Sequence, residues 1–215
     1  MKIQLLIIVI IFNSQLLCSD FNITRLKYQG GGDWYADKSS IPNLLQFIRN
    51  ETDIKVGEKE IKASIGEKEF YDNQYYYITG HGNISFNDKE RDELREALTS
   101  GAFLHADDNY GMDKSFREEM KTIFPDKDWV ALGPEHEIFN IFYKFPNGLP
   151  KIHEHDGKPP QALALFHDNK MIVLYTYESD LGDGWESRNV HNHSIETHNQ
   201  ALKMGTNIII YYLTH

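Results

Sequence analysis

Cysteine is almost missing: Cys18 is the only one in 215 residues. It precedes the stretch that has the composition of a folded domain. The folded part is therefore expected to hold no disulfide, no thiolate metal ligand and no cysteine nucleophile. Beyond Leu17 no apolar run approaches the roughly 20 residues that span a bilayer. Positive charge is scarce too: 22 Lys and Arg face 32 Asp and Glu, a formal net charge of -10. That balance repels phosphate-rich partners and argues against nucleic acid. Repeats, linkers and low-complexity stretches are also lacking, so a single domain is expected over residues 20–215.

The first 19 residues read differently. Met1-Lys2 carries one positive charge, Ile3 to Phe12 is apolar, and Leu16-Leu17 leads into Cys18-Ser19-Asp20. A charged start, a short apolar centre and a small-residue end predict a secretory signal peptide over residues 1–19. The expected location is outside the cytoplasm, periplasmic or extracellular. Membrane attachment would follow only if Cys18 were lipidated, and Gln15 and Leu17 depart from the lipoprotein pattern.

What is present after that is an alternation. Apolar runs at Ile23–Tyr28, Ile61–Ser64, Tyr75–Thr79 and Ala102–Ala106 read as strands. Between and after them lie helical patterns. Ser40 is expected to cap one, with Pro42 in its first turn. Asn87 caps the next, with Glu90 completing a capping box and Gly101 ending it. Asp113 is expected to cap a third, which closes at Pro125. Ala162–His167 and Met171–Tyr177 flank Asp168-Asn169 as a hairpin. The end of the chain is ambiguous: Thr197–Met204 has helical spacing, while Ile208–Tyr212 suits a strand by composition. The whole predicts an α/β fold, a mostly parallel sheet with helices on both faces.

The unusual polar residues follow the apolar runs. If those runs are parallel strands, their loops leave one edge of the sheet, where open α/β sheets build their sites. Gly30-Gly31-Gly32-Asp33-Trp34-Tyr35 lacks the spacing of an established phosphate loop. Its glycines permit close approach, and Trp34, Tyr35, Tyr110 and Trp185 offer rings for stacking on a sugar or aromatic group. Gly80-His81-Gly82-Asn83 sets a histidine, a candidate proton shuttle or donor, between two glycines. Asp107-Asp108 places paired carboxylates at a strand end. Adjacent side chains point apart there, so one is expected to face the cleft as base or metal ligand. In Ile152-His153-Glu154-His155-Asp156-Gly157 the two imidazoles face one way on an extended segment. With a third ligand elsewhere they would suit a divalent metal. Glu178 to Glu186 is acidic and glycine-rich, misses the EF-hand spacing, and reads as a turn closing over the edge.

Taken together these phrases resemble the bacterial domain of unknown function 4159 family. The glycine triplet with Asp33-Trp34-Tyr35, Thr79 to Asn83, Ala106 to Gly111, Phe145 to Pro150 with the His153–Gly157 motif, and Tyr177 to Trp185 carry the likeness. The resemblance implies a fold similar to class I glutamine amidotransferases (flavodoxin-like), a helical C-terminal segment, and no established activity. True amidotransferases use a cysteine at a strand-to-helix elbow. The comparable elbow here, Ala106–Gly111, offers Asp and Asn, so thioester chemistry is not expected.

Two readings of function lead, with a scaffold or interaction domain, its loops serving mainly as packing, as a third. The first is a binding module for a small molecule or glycan, lined by Gly31, Asp33, Trp34, Tyr35, Asn83, Tyr110, Glu178 and Trp185. The second is a metal-assisted hydrolase, with His153 and His155 on the metal and His81, Asp107 or Asp108 in catalytic roles. The sequence leaves open whether a reaction is catalysed and whether a divalent metal is the cofactor.

Overall fold

The computed structural model describes residues 20–215. The expected signal peptide, residues 1–19, and with it Cys18, lies outside the described residues. Among the described residues seven strands form one sheet in the order β2-β1-β3-β4-β7-β6-β5. Five of them run parallel: β1 (Thr24–Lys27), β2 (Ile61–Ser64), β3 (Tyr75–Ile78), β4 (Phe103–Asp107) and β7 (Lys170–Tyr177). β6 (Gln161–His167) and the two-residue β5 (Val130–Ala131) extend the sheet antiparallel beyond β7.

Alternation along the strands builds two cores. In β3, Tyr75 and Tyr77 join one apolar cluster, and Tyr76 and Ile78 join the other. All four are buried, as a strand covered on both faces requires. On the first face lie α1 (Ser40–Glu51), α5 (Leu181–Trp185) and α7 (Ile195–Thr214), through Leu44, Ile48, Leu181, Trp185, Ala201 and Ile208. On the second lie α2 (Lys68–Tyr71), α3 (Asp88–Thr99) and α4 (Asp113–Ile123), through Phe70, Leu94, Leu98, Phe116 and Met120. A short α6 (Arg188–His191) links α5 to α7.

Local signals mostly act as their chemistry dictates. The Asn87–Glu90 capping box forms in both directions. Asp168 and Asn169 both take positive φ (47° and 64°), the geometry of a tight two-residue hairpin turn. Two expected caps are corrected. Ser40 is already inside α1; its Oγ donates to the Asp37 carbonyl and accepts from Arg25. Asp113 is the first residue of α4, where its carboxylate accepts from Arg117 and from the Tyr175 hydroxyl. Burial resolves the C-terminal ambiguity. Ala201, Met204, Ile208 and Tyr211 fall on one helical face against the first core. Ser194 caps the helix by accepting from the Thr197 amide at 3.0 Å.

Candidate metal centre at the sheet edge

Because β1, β3, β4 and β7 are parallel, the segments that follow them leave the same edge. β6 is antiparallel to β7, with Gln161 opposite Tyr177. The residues leading into β6 therefore reach that edge too, and they carry the His-x-His motif. Topology alone thus gathers the loops around residues 30, 81, 109, 155 and 180.

The segments after β1 and β3 close on each other. The Gly32 amide donates to the Asn83 carbonyl at 3.0 Å, and the Asp33 amide to the His81 carbonyl at 3.1 Å. A Cβ on Gly32 would stand 2.8 Å from both carbonyl oxygens, so glycine is what permits the approach. The Asp33 carboxylate accepts from the His81 amide and lies 3.3 Å from His81 Nδ1. His81 itself is half exposed. Gly31 is solvent-facing at φ 93°, and Tyr35, Asn83 and Tyr110 are exposed. Trp34 packs edge-on to Tyr35 and against the second core.

The segments after β4 and β7 carry charge instead. Asp107 is wholly buried under α5, where it accepts from the Gly182 amide at 2.6 Å, from Thr176 Oγ1 and from the Tyr77 hydroxyl. Burial pushes its carboxyl up to about 7. Such a group holds the α5 turn and touches no solvent-borne ligand, which corrects its expected catalytic role. Beneath it, fully buried His105 sits 3.1 Å from Thr176 Oγ1, its imidazole pushed down to about 3 by burial. Asp108 points the other way. It accepts from the Glu178 amide at 3.1 Å, and burial raises its carboxyl to about 7. It lines a cleft of about 280 Å³ with Tyr110, Lys114, His155, Lys158 and Glu178.

The turn from β7 into α5 is sharp. Glu178 and Asp180 both take φ 58°, a left-handed conformation that costs a non-glycine residue energy. The Glu178 carboxylate accepts from Lys151 at 2.7 Å, so it is paired rather than free. Trp185 is not a rim residue. It is 1% exposed, donates from Nε1 to the Ala201 carbonyl, and packs on Tyr77 and His105. Its expected role in stacking on a ligand is therefore corrected.

The His-x-His pair divides. The two rings stack in parallel with centroids 5.2 Å apart. His155 Nε2 lies 3.0 Å from Asp180 Oδ2, and burial pushes its imidazole down. His153 faces Asp183 instead, Nδ1 to Oδ2 at 2.9 Å. It joins three residues the sequence did not single out: ligand atoms of His153, Asp183, His191 and His193 all lie within 4.8 Å of one another. His155 is outside this set; His153 is grouped with Asp183, His191 and His193 instead. His153 Nδ1 and His193 Nε2 are shielded from solvent, and no hydrogen bond reaches either among the described residues. A buried polar atom without an aligned hydrogen bond is costly, and both nitrogens belong to residues grouped with Asp183. Three imidazoles and a carboxylate form a donor set suited to zinc or a similar divalent ion.

A signal for this cluster was present. His191-Asn192-His193 is a second His-x-His with the spacing of His153-Glu154-His155. Asn192, at φ 55°, bends the chain between its two histidines.

The family model described as Domain of unknown function (DUF4159) matches residues 22–213. The chain belongs to this family. The match takes in β1 through α7, and with them every residue of the DUF4159 chain's histidine cluster. No curated protein matches the chain. Among the described residues no helix is long and apolar enough to cross a membrane.

Proposed function

We propose that this DUF4159 domain is an exported metal-dependent binding module, which holds a divalent transition metal on His153, Asp183, His191 and His193 and seats a small hydroxyl-rich molecule or glycan beside it. The observation that carries this reading is the pair of shielded nitrogens, His153 Nδ1 and His193 Nε2, that no aligned hydrogen bond reaches, in residues grouped with Asp183 and His191. When bound, the metal supplies a Lewis-acidic point for an oxygen of the ligand. The neighbouring cleft supplies the exposed Tyr110 ring as a stacking face, and Asp108 and Lys158 as polar contacts.

A second reading, metal-assisted hydrolysis, is favoured by Asp108. It opens to the cleft, and its carboxyl exchanges a proton near pH 7, as a general base or acid requires. The order β2-β1-β3-β4-β7 of the parallel strands matches the flavodoxin-like order and supports an amidotransferase-like fold. In this reading glutaminase chemistry is absent, because the elbow after β4 carries Asp107, Asp108 and Asn109. The apolar Ile3–Phe12 stretch supports export.

The test is a zinc titration of the tag-free domain by calorimetry, repeated on His153→Ala and His193→Ala. Saturable binding that both substitutions weaken at least tenfold is the expected result. Binding that survives both unchanged, or no binding at all, overturns the proposal. A glycan and ester screen on the zinc-loaded protein then separates retention of ligand from turnover.

A further inference from the structure

Resting on the metal reading above, we infer that the centre is dinuclear: Asp183 bridges two divalent ions, one on the histidine side and one on a carboxylate side formed by Asp37 and Glu186. Ligand atoms of Asp37, Asp183, Glu186 and His191 also lie within 4.8 Å of one another. The two groups share Asp183 and His191, and the two Asp183 oxygens have different neighbours. Oδ2 stands 2.9 Å from His153 Nδ1, and Oδ1 stands 3.2 Å from His191 Nε2.

Two observations point to ions. First, the Asp183 side chain is 7% exposed, yet among the described residues no aligned hydrogen bond reaches its carboxylate; both imidazole contacts are close without hydrogen-bond geometry. Second, Asp37, Asp183 and Glu186 are all buried, and among the described residues no lysine or arginine pairs with any of them. The nearby Arg25 guanidinium is spent on Glu60 and on the carbonyls of Ala36 and Asp37. Asp37 accepts from Thr79 Oγ1 and Asn109 Nδ2, and Glu186 from the Ser39 amide and hydroxyl, but neither gains a cation this way; a divalent ion would neutralise the charge that the three carboxylates share.

The donors sort by chemistry. His153 and His193 with Asp183 Oδ2 make a nitrogen-rich position suited to zinc. Asp37 and Glu186 with Asp183 Oδ1 make an oxygen-rich position suited to a harder ion such as manganese or magnesium. His191, 2.9 Å from Glu186 Oε2, stands between them and completes either position. Three protein donors at one position, and four at the one His191 joins, leave room for solvent or ligand at the former, as in two-metal sites that clamp one oxygen from both sides.

Cadmium titration of the whole domain, read by cadmium NMR and by bound-metal analysis, tests this. Two ions per chain and two resonances, one nitrogen-rich and one oxygen-rich, are expected. Glu186→Gln should remove or shift the oxygen-rich resonance only, and His193→Ala the nitrogen-rich one only. The wild-type count needs no substitution, so it stands even if a variant misfolds. One ion and one resonance at saturation overturn the bridge and leave the single-ion reading intact. No bound ion overturns both.

Discussion

Between β1 and β3 the sheet edge around Gly32 and His81 is closed by backbone, whereas between β4 and β7 it is packed with side chains that carry charge, which Asp37 joins from the segment after β1. The first place is where the order β2-β1-β3 reverses direction, the crevice in which open α/β sheets usually seat a ligand. Here Gly30–Gly32 and His81–Asn83 fill it with their own amides and carbonyls. The second place lies under a strained turn, with Asp107 buried beneath it and Asp183 and the histidines above. The contrast teaches that a glycine-rich loop at a sheet edge can be a seal rather than a cradle. The charged side chains gather two gaps along the sheet, between β4 and β7.

Substitutions at the two places should behave differently. The largest effect is expected from Asp183→Ala, which removes the shared carboxylate; zinc affinity measured by calorimetry should fall at least about 100-fold. Gly182→Ala comes next. Its Cβ would stand 2.5 Å from Asp37 Oδ2 and 2.8 Å from the Tyr77 hydroxyl, so both metal affinity and stability should drop, the latter by roughly 2–3 kcal/mol in urea unfolding. Gly32→Ala meets two carbonyls at 2.8 Å and should cost roughly 1–3 kcal/mol, with zinc affinity unchanged. Loss of zinc binding in Gly32→Ala would erase the distinction between the two regions.

Asp108→Asn sharpens it further through pH. The folded carboxyl titrates at about 7, well above its unfolded value near 4. The folded state therefore holds the extra proton between these values, and wild-type stability from this group is present below about pH 4 and lost as pH rises towards 7. The Asn variant should gain on wild type by an amount on the order of 2–4 kcal/mol between pH 4 and pH 8. Denaturant unfolding at both pH values reads it; a pH-independent difference would refute the assignment. The smallest effect is expected from His81→Ala, within about 0.5 kcal/mol and without change in zinc binding, since its ring is half exposed and pairs only with Asp33.

The fold was more legible in the sequence than the site, for physical reasons. The unbroken Tyr75-Tyr76-Tyr77-Ile78 run can only be a strand covered on both faces, and Asp168-Asn169 is an unambiguous turn. Asn87 with Glu90 announced its cap through a reciprocal pair, whereas Ser40 and Asp113 carried half of that signal and do other work. Asp107 and Asp108 are identical in composition, and only packing tells that one is sealed under α5 while the other meets a cleft. His153 and Asp183 are 30 positions apart, and His193 is 10 further on. What joins them is the reversal of β6 against β7 and the turn at Glu178–Asp180, and neither is visible as a spacing. Trp185 shows the opposite error: its glycine-rich, acidic neighbourhood suggests a surface loop, yet its indole is core.

The most direct measurement is an anomalous-difference map at the zinc edge from crystals of the domain grown with zinc. A peak within about 2.2 Å of His153 Nδ1 and His193 Nε2 is expected, with an Asp183 oxygen in the same shell. A map without density between those three side chains, with zinc only at lattice contacts, would contradict it.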